Sequence, residues 1–404
     1  MEQFRVAVVG GGIGGLSAAI ALRAHDIPVV VFEKSPELRE IGAGVVLRAN
    51  GIRGLASINA MDGIDDVARA VRCRPPRMWQ GEALAPDGDP QGNGTLESPI
   101  VYPAHRGELQ RFLREQLPAD AVRHGYALEQ LTEDDDGIDL CFTNGCRERF
   151  DLLIGADGIH SVVQGYVGDP VLPESQGIMA YRALVPADRL AGKAEVDRLC
   201  QWLGQSRYFI TYPVARGSLI NVVASVPSTL KPGSWSAPGT VADLAQAYNG
   251  WHPQVRAVID EIDSTFIWGI YDRPPLAQWV SGRIALIGDA AHAMAPYLGQ
   301  GVNTAIEDAV TLGILLADIS TADIAARLAM YEDLRKERTH RIQEGSRRMG
   351  NIYRDGRLAI QERRERMAAE LQGGGWLAGY DAAQVAHARL DNTAVTANFV
   401  TNLG

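Results

Sequence analysis

The residues with most to offer chemically sit in one stretch, Gly288-Asp289-Ala290-Ala291-His292, with Pro296 and Gly299-Gln300-Gly301 close behind. The apolar run 283–287 reads as a buried strand that turns sharply at Gly288. Asp289 is thereby left at a strand's carboxyl end, where open α/β sheets bind ligands. The loop holding Pro296, Gly299 and Gly301 lets backbone approach something large and flat. Residues 302–316 then carry apolar positions at helical spacing, beginning at Val302. The first turn of that helix aims free N–H groups and a positive dipole end at the loop. An electron-rich or anionic ring system is the natural guest; an ordinary strand-loop-helix unit is the alternative. His292 is read as a packing or capping residue of the turn in preference to a catalytic histidine.

Two more turns resemble this one. After the β-rich run 4–9 comes Gly10-Gly11-Gly12-Ile13-Gly14-Gly15 and then a helical stretch, 16–24. Gly10, Gly12 and Gly15 fit G-x-G-x-x-G, which serves a tight turn, close approach to a pyrophosphate and close helix packing. A second strand, 29–32, ends in Glu33, an acid placed for ribose hydroxyls. The competing reading is a glycine-rich turn with a surface glutamate. A third strand, expected over 150–154, delivers Gly155-Ala156-Asp157-Gly158. Three such strand ends imply one extended cofactor lying across one sheet edge. Arg39 and Arg48 bracket a glycine-rich segment and suit a phosphate or a substrate carboxylate, or are solvated surface charges. Arg106 stands at the entrance of a helix opening at His105, where an anion is favoured.

The elements that must position these residues belong to a long chain. Its 404 residues suggest two domains, or one with an inserted piece. An apolar share of 46% with no run of 18 apolar residues points to a globular protein with no membrane span. No secretory signal precedes the first strand, so a cytoplasmic location is expected. The net charge of -10 argues against a nucleic-acid partner. Cys73, Cys141, Cys146 and Cys200 lack metal-site spacing, and Cys141 and Cys146 flank a hairpin turn at Asn144-Gly145. Residues 73–98 read as a loop or irregular hairpin, 133–136 as a solvated turn, and 177–185, 207–213 and 219–226 as strands. Tyr208 and Tyr212 are an even number apart and share a face. There they orient an aromatic ring or form a packing pair. Cys200 and Trp202 are core candidates. Helices are expected over 325–341 and 358–371 and a hinge at 373–375, and the tail after Asp381 is small and polar with little signal.

Taken together, these motifs resemble the class A flavoprotein monooxygenases, close to their salicylate-hydroxylase-like members. The resemblance rests on Gly10-x-Gly12-x-x-Gly15 with Glu33, Arg106 in His-Arg-Gly-x-Leu, Gly155-Ala156-Asp157-Gly158, and Gly288-Asp289-Ala290-Ala291-His292 with its Gly299-Gln300-Gly301 loop. A further echo stands at Trp376-Leu377-Ala378-Gly379-Tyr380-Asp381. It implies an α/β fold: a discontinuous Rossmann-like FAD-binding domain (1–175 and 272–350), an inserted antiparallel substrate sheet (176–271) and a C-terminal helical segment (351–404). The implied activity is hydroxylation of an electron-rich phenolic or carboxylated aromatic small molecule through a flavin C4a-hydroperoxide. FAD is the cofactor, NADH or NADPH the transient reductant and O2 the co-substrate. By position, Gly10, Gly12, Gly15, Glu33, Arg39, Arg106, Asp157, Asp289, Gly299, Gly301 and Val302 would hold the cofactor. Arg48, Arg182, Tyr208, Tyr212 and Pro296 would meet the substrate, with Tyr208, Tyr212 and Pro296 nearest the chemistry. Several relatives carry a histidine where Tyr208 stands, and Arg182 has a sheet-supporting alternative. The expected assembly is a monomer or homodimer. The rival readings are oxygenation of a pyridine, purine or alkene by the same fold, and a non-catalytic flavin-binding redox sensor.

Overall fold

A computed structural model describes residues 4–37, 44–85, 100–204, 206–231, 233–371 and 375–401. Arg39, most of the glycine-rich segment before Gly44, much of the expected 73–98 loop, and the hinge at 373–375 apart from Gly375 lie outside the described residues. At its centre is a six-stranded sheet, ordered Val280–Ser281, Ile284–Leu286, Leu152–Gly155, Val6–Val9, Val29–Glu33 and Val122–His124. All but the first strand run parallel, and the Val6–Val9 and Leu152–Gly155 strands are wholly buried, as a sheet covered on both faces requires. The three glycine-rich turns therefore leave the same edge. Backbone bonds stitch them side by side: Gly10 N donates to Phe32 O (2.8 Å), Ala156 N to Val9 O (2.8 Å) and Ile287 N to Gly155 O (2.9 Å).

Two helices lie against this edge in close contact, Ile13–Arg23 and Gly301–Leu315. A β-carbon on Gly313 would come within 2.8 Å of the Ala21 β-carbon, so glycine permits the approach. The strand expected over 150–154 is instead two. Arg147–Phe150 closes an antiparallel hairpin with Ile138–Phe142, while Leu152–Gly155 joins the parallel sheet. Asp151 makes the break because its carboxylate accepts from Arg5 N (2.7 Å) between the two sheets. Cys141 and Cys146 flank the turn of that hairpin and are free thiols.

The second large sheet is antiparallel over residues 174–272, and includes Glu174–Pro186, Leu219–Pro227 and Arg207–Val214 near the expected positions. Sequence patterning did not register Arg198–Gly204, Ser236–Gly239 or Thr265–Asp272. Arg198–Gly204 has its last five residues buried without alternation, so it lacks the period-two signal. Strands Val71–Cys73, Ile100–His105 and Gly44–Leu47 extend the same sheet from the first part of the chain. One face, with Trp202, Phe209 and Cys200, packs on helices Val241–Ala247 and Pro253–Asp260. The opposite face carries Tyr208 and Tyr212 toward the 295–298 loop and the helix Ile324–Arg354.

That helix runs 31 residues, beyond the expected end at 341. Gly345 and Gly350 do not end it; they let it close on Leu298 and the Tyr297 ring. The segment after Asp381, a small and polar tail with little signal of its own inside the expected C-terminal helical segment, is the helix Ala382–Thr401. Its alanines favour the helix, and the buried Ala382 and Ala386 seat it on the main core. No helix among the described residues is long and apolar enough to cross a membrane.

Beneath the strand-loop-helix turn lies a buried ion network. Asp308 accepts from Gly288 N (3.0 Å) and Arg335 Nε (2.8 Å), with His292 Nε2 at 2.6 Å. Glu307 meets Arg335 Nη2 at 2.7 Å and accepts from both Nε and Nη2 of Arg338 (2.8 Å each). Burial pushes the Asp308 carboxyl up, but His292 and Arg335 override it and bring it down to about 2. His292 is thus a packing member of the turn, as read from the sequence. The depressed value means this stabilisation is complete above pH ~4, near the unfolded carboxyl's value, and is lost as pH falls toward 2. Arg335→Ala strands two buried carboxylates and is expected to lower unfolding free energy by about 3–5 kcal/mol in urea titrations at pH 7. A loss below about 1 kcal/mol would contradict this role.

Candidate active site

The dinucleotide turn separates its glycines by function. Gly10 has φ +113°, and a β-carbon on it would run into the Ala156 carbonyl; one on Gly15 would run into the Gly10 carbonyl. Gly12 has no heavy atom within 4 Å of its would-be β-carbon and caps the N-terminus of the Ile13–Arg23 helix with no side-chain hydrogen bond. Open space in front of free N–H groups is what a pyrophosphate needs. Glu33 accepts from Gly11 N and Ser35 N (2.8 Å each), fixing the loop from the neighbouring strand end. Gln110, a residue the sequence reading passed over, donates to Gly11 O (2.6 Å) and ties down the helix that begins at Arg106. Arg106 itself is exposed.

Asp157 turns its carboxylate onto its own loop, accepting from Ser161 Oγ (2.6 Å), Val162 N (2.7 Å) and Val163 N (3.2 Å). Asp289, by contrast, is exposed at the sheet edge. Between these two acids lies the buried Arg273, donating to Ala290 O (3.1 Å) and Ile159 O. Burial lowers its pKa, opposed by Asp289 and Asp157. Arg273 was not singled out from sequence because both of its carbonyl partners are distant in the chain.

The loop after Asp289 is a backbone platform. Gly299 has φ +61°, and a β-carbon there would sit 3.3 Å from Arg48 Nε. Pro296 is exposed while Ala295, Tyr297 and Leu298 are buried, so the proline ring faces outward from a fixed base. Asn303 locks the loop to the first part of the chain: it accepts from Arg48 N (2.8 Å) and donates to Gly299 O (2.9 Å) and Val46 O (3.2 Å). Gly301 and Val302 open the helix behind it.

Facing this platform is an aromatic group. The Tyr208 ring meets Tyr297 edge-on at 5.6 Å and Tyr353 at 6.1 Å, and those two meet at 5.7 Å. Tyr297 and Tyr353 were missed because nothing local marks them. Burial pushes the Tyr208 hydroxyl up to about 12 and also raises Tyr212. Tyr208 is thus a protonated group at neutral pH and cannot serve as a base there. Arg182 is committed to the sheet, its Nη2 donating to Gly44 O (3.2 Å), while Gly44 N donates to Asn221 Oδ1 (2.8 Å). A β-carbon on Gly44 would lie 2.5 Å from the Tyr212 ring, so Arg182, Asn221, Gly44 and Tyr212 form one packed unit. Arg48 is half-buried, and its Nε, like that of Arg182, is enclosed with no hydrogen-bond partner among the described residues.

The sequence matches the FAD binding domain family over residues 3–346. The chain belongs to that family. It is 35% identical to 3-amino-4-hydroxybenzoate 2-monooxygenase PtmB3 of Streptomyces platensis, across 94% of this chain and 97% of the relative. It is 33% identical to 6-hydroxynicotinate 3-monooxygenase of Bordetella bronchiseptica, across 85% and 90%. Its fold superposes on a salicylate hydroxylase substrate complex with a TM-score of 0.81 at 28% identity, covering 95% of this chain and 97% of that one. The protein is a class A FAD-dependent aromatic monooxygenase, with NADH or NADPH and O2 as its co-substrates. The open cradle at Gly12 and the glycine platform at 299–301 fit FAD.

The glycines give a paired prediction. Gly15→Ala overpacks a backbone contact and is expected to cost about 1–3 kcal/mol of apoprotein stability in chemical denaturation. Gly12→Ala meets open space, so stability should stay within about 0.5 kcal/mol. Its FAD dissociation constant, read by flavin fluorescence quenching, should instead rise about tenfold. The reverse pattern would contradict the assignment.

Proposed function

We propose that this enzyme hydroxylates an aromatic ring bearing a carboxylate and a hydroxyl or amino group, and that Arg48 receives the carboxylate. The observation that carries this reading is the enclosed Arg48 Nε, without a hydrogen-bond partner among the described residues, against Gly299, with the Tyr297 ring in the same loop and the Tyr208 and Tyr353 rings on the facing sheet and long helix. A buried guanidinium with an unmet donor is costly unless an anion completes it. The named relative that hydroxylates 3-amino-4-hydroxybenzoate shows the kind of ring this site would suit. Residues 1–175 and 272–350 would hold FAD, 176–271 with the strands added from 44–105 would cover the substrate, and 351–404 would brace both. A cytoplasmic monomer or homodimer is the form we propose.

FAD, when bound, would supply acceptance of a hydride from the nicotinamide cofactor and delivery of one electrophilic oxygen atom of O2 to the ring, the other oxygen leaving as water. Gly10, Gly12, Gly15, Glu33, Arg106, Asp157 and Asp289 sit along the edge that would hold its nucleotide part, with Asp157 acting through its turn. Pro296, Gly299, Gly301 and Val302 would lie along the ring system. Arg48 would fix the substrate's carboxylate and so the ring carbon presented to the oxygen. Tyr208 would keep its proton throughout and offer a hydroxyl as donor. The tyrosine edges and Tyr212 would exclude water, which limits wasteful peroxide release. The electrons come from the ring, made rich ortho or para to its hydroxyl or amine.

Two outcomes are expected. Arg48→Met should raise KM for carboxylated rings roughly 10- to 100-fold, as loss of a hydrogen bond to a charged group implies, in steady-state NADH or NADPH oxidation. It should leave a ring without a carboxylate unaffected; equal effects on both would refute the assignment. Tyr208→Phe should keep the wild-type pH profile between about pH 6 and 9, since a hydroxyl near 12 does not titrate there. A limb lost from the profile would make Tyr208 a base after all.

A further inference from the structure

Gln300, the residue between the two platform glycines, is held from behind. It is 1% exposed, and its Oε1 accepts from Asn50 Nδ2 at 2.9 Å. The same Asn50 nitrogen donates to Glu307 Oε1 at 2.7 Å. Glu307 is gripped by both Nε and Nη2 of Arg338, and Arg338 continues outward, donating to Trp376 O (2.5 Å) and Leu377 O (3.0 Å). Its guanidinium lies 3.8 Å over the Tyr380 ring. Arg53 secures the other side of this segment, donating to Tyr380 O (2.8 Å) and Ala378 O (3.3 Å). The C-terminal segment 376–380 is thus joined to the platform by an unbroken run of charged and amide contacts, each link buried or half-buried.

We propose that Tyr380, Arg338, Glu307 and Asn50 form a positioning relay through which the C-terminal segment sets Gln300, and with it the backbone platform that receives the flavin ring. This rests on the FAD reading and adds residues that touch neither cofactor nor substrate. Arg338 is the pivot because its planar fork engages Glu307 on two donors while its face stacks on Tyr380. Without the ring, the fork loses the surface that fixes its plane. Glu307 then gains freedom, and Asn50 no longer holds Gln300 in a single orientation. A loosened platform predicts weaker FAD binding and more O2 reduced to peroxide per NADH or NADPH consumed.

The test compares Tyr380→Ala, Tyr380→Phe, Gln300→Ala and the Tyr380→Ala/Gln300→Ala pair, each as full-length protein. Three quantities are read: the FAD dissociation constant by reconstitution of apoprotein, the peroxide fraction, and the apoprotein Tm. Tyr380→Ala is expected to weaken FAD about tenfold and raise the peroxide fraction. Tyr380→Phe should behave as wild type, since the ring is kept and the hydroxyl has no hydrogen-bond partner among the described residues. The double variant should be no worse than Gln300→Ala, because both act through one route. Additive losses, or a lowered Tm with unchanged FAD affinity and peroxide fraction, would reduce the segment to a structural brace and overturn the relay. Failure of wild-type apoprotein to take up FAD would instead overturn the flavin reading.

Discussion

The buried carboxylate of Asp308 constrains everything around it. It is charged, fully enclosed, and shared by a glycine amide, a histidine and an arginine from separate elements. Removing such an ion from water is costly, and only complete hydrogen bonding offsets it. The turn at Gly288, the Gly301–Leu315 helix and the long helix behind it therefore have one mutual arrangement. Neighbouring Glu307 repeats the solution with Arg335 and Arg338. Two acids against two guanidinium groups leave little net charge in the interior.

From that arrangement the chemistry inherits a rigid base. Pro296 and the glycines at 299 and 301 present backbone rather than side chains, so a flat ring system can lie close. The opposing sheet supplies what the platform lacks: aromatic edges, a protonated phenol and, through Arg48, a positive charge. Arg182 joins the wall of the site to the first part of the chain, its Nη2 donating to Gly44 O.

What the sequence revealed follows from how local each signal was. Gly10, Gly12 and Gly15 could be read because their reasons lie within one turn and its neighbouring strands. The shared face of Tyr208 and Tyr212 followed from strand parity alone. Tyr297, Tyr353, Gln110 and Arg273 act through partners far away in the chain, and no spacing announces them. The break at Asp151 was hidden because two strands of different sheets adjoin in one apolar run. Arg198–Gly204 was hidden by burial without alternation, while the helix Ala382–Thr401 came only through the family resemblance, its small alanines giving a weak amphipathic pattern of their own. The long helix was read short, at 341, although Gly345 and Gly350 beyond it are contact points for Leu298 and Tyr297.

The proposed function stands on the half-buried Arg48, whose enclosed Nε would meet a substrate carboxylate beside the 296–301 loop. Its most direct test is a titration of FAD-loaded protein, followed by flavin absorbance, with 3-amino-4-hydroxybenzoate and with the same ring lacking its carboxylate. Binding of the carboxylated ring about 10- to 100-fold more tightly is the predicted result, the span expected for a hydrogen bond to a charged group. Equal affinities would show that Arg48 does not meet the substrate and would contradict the account.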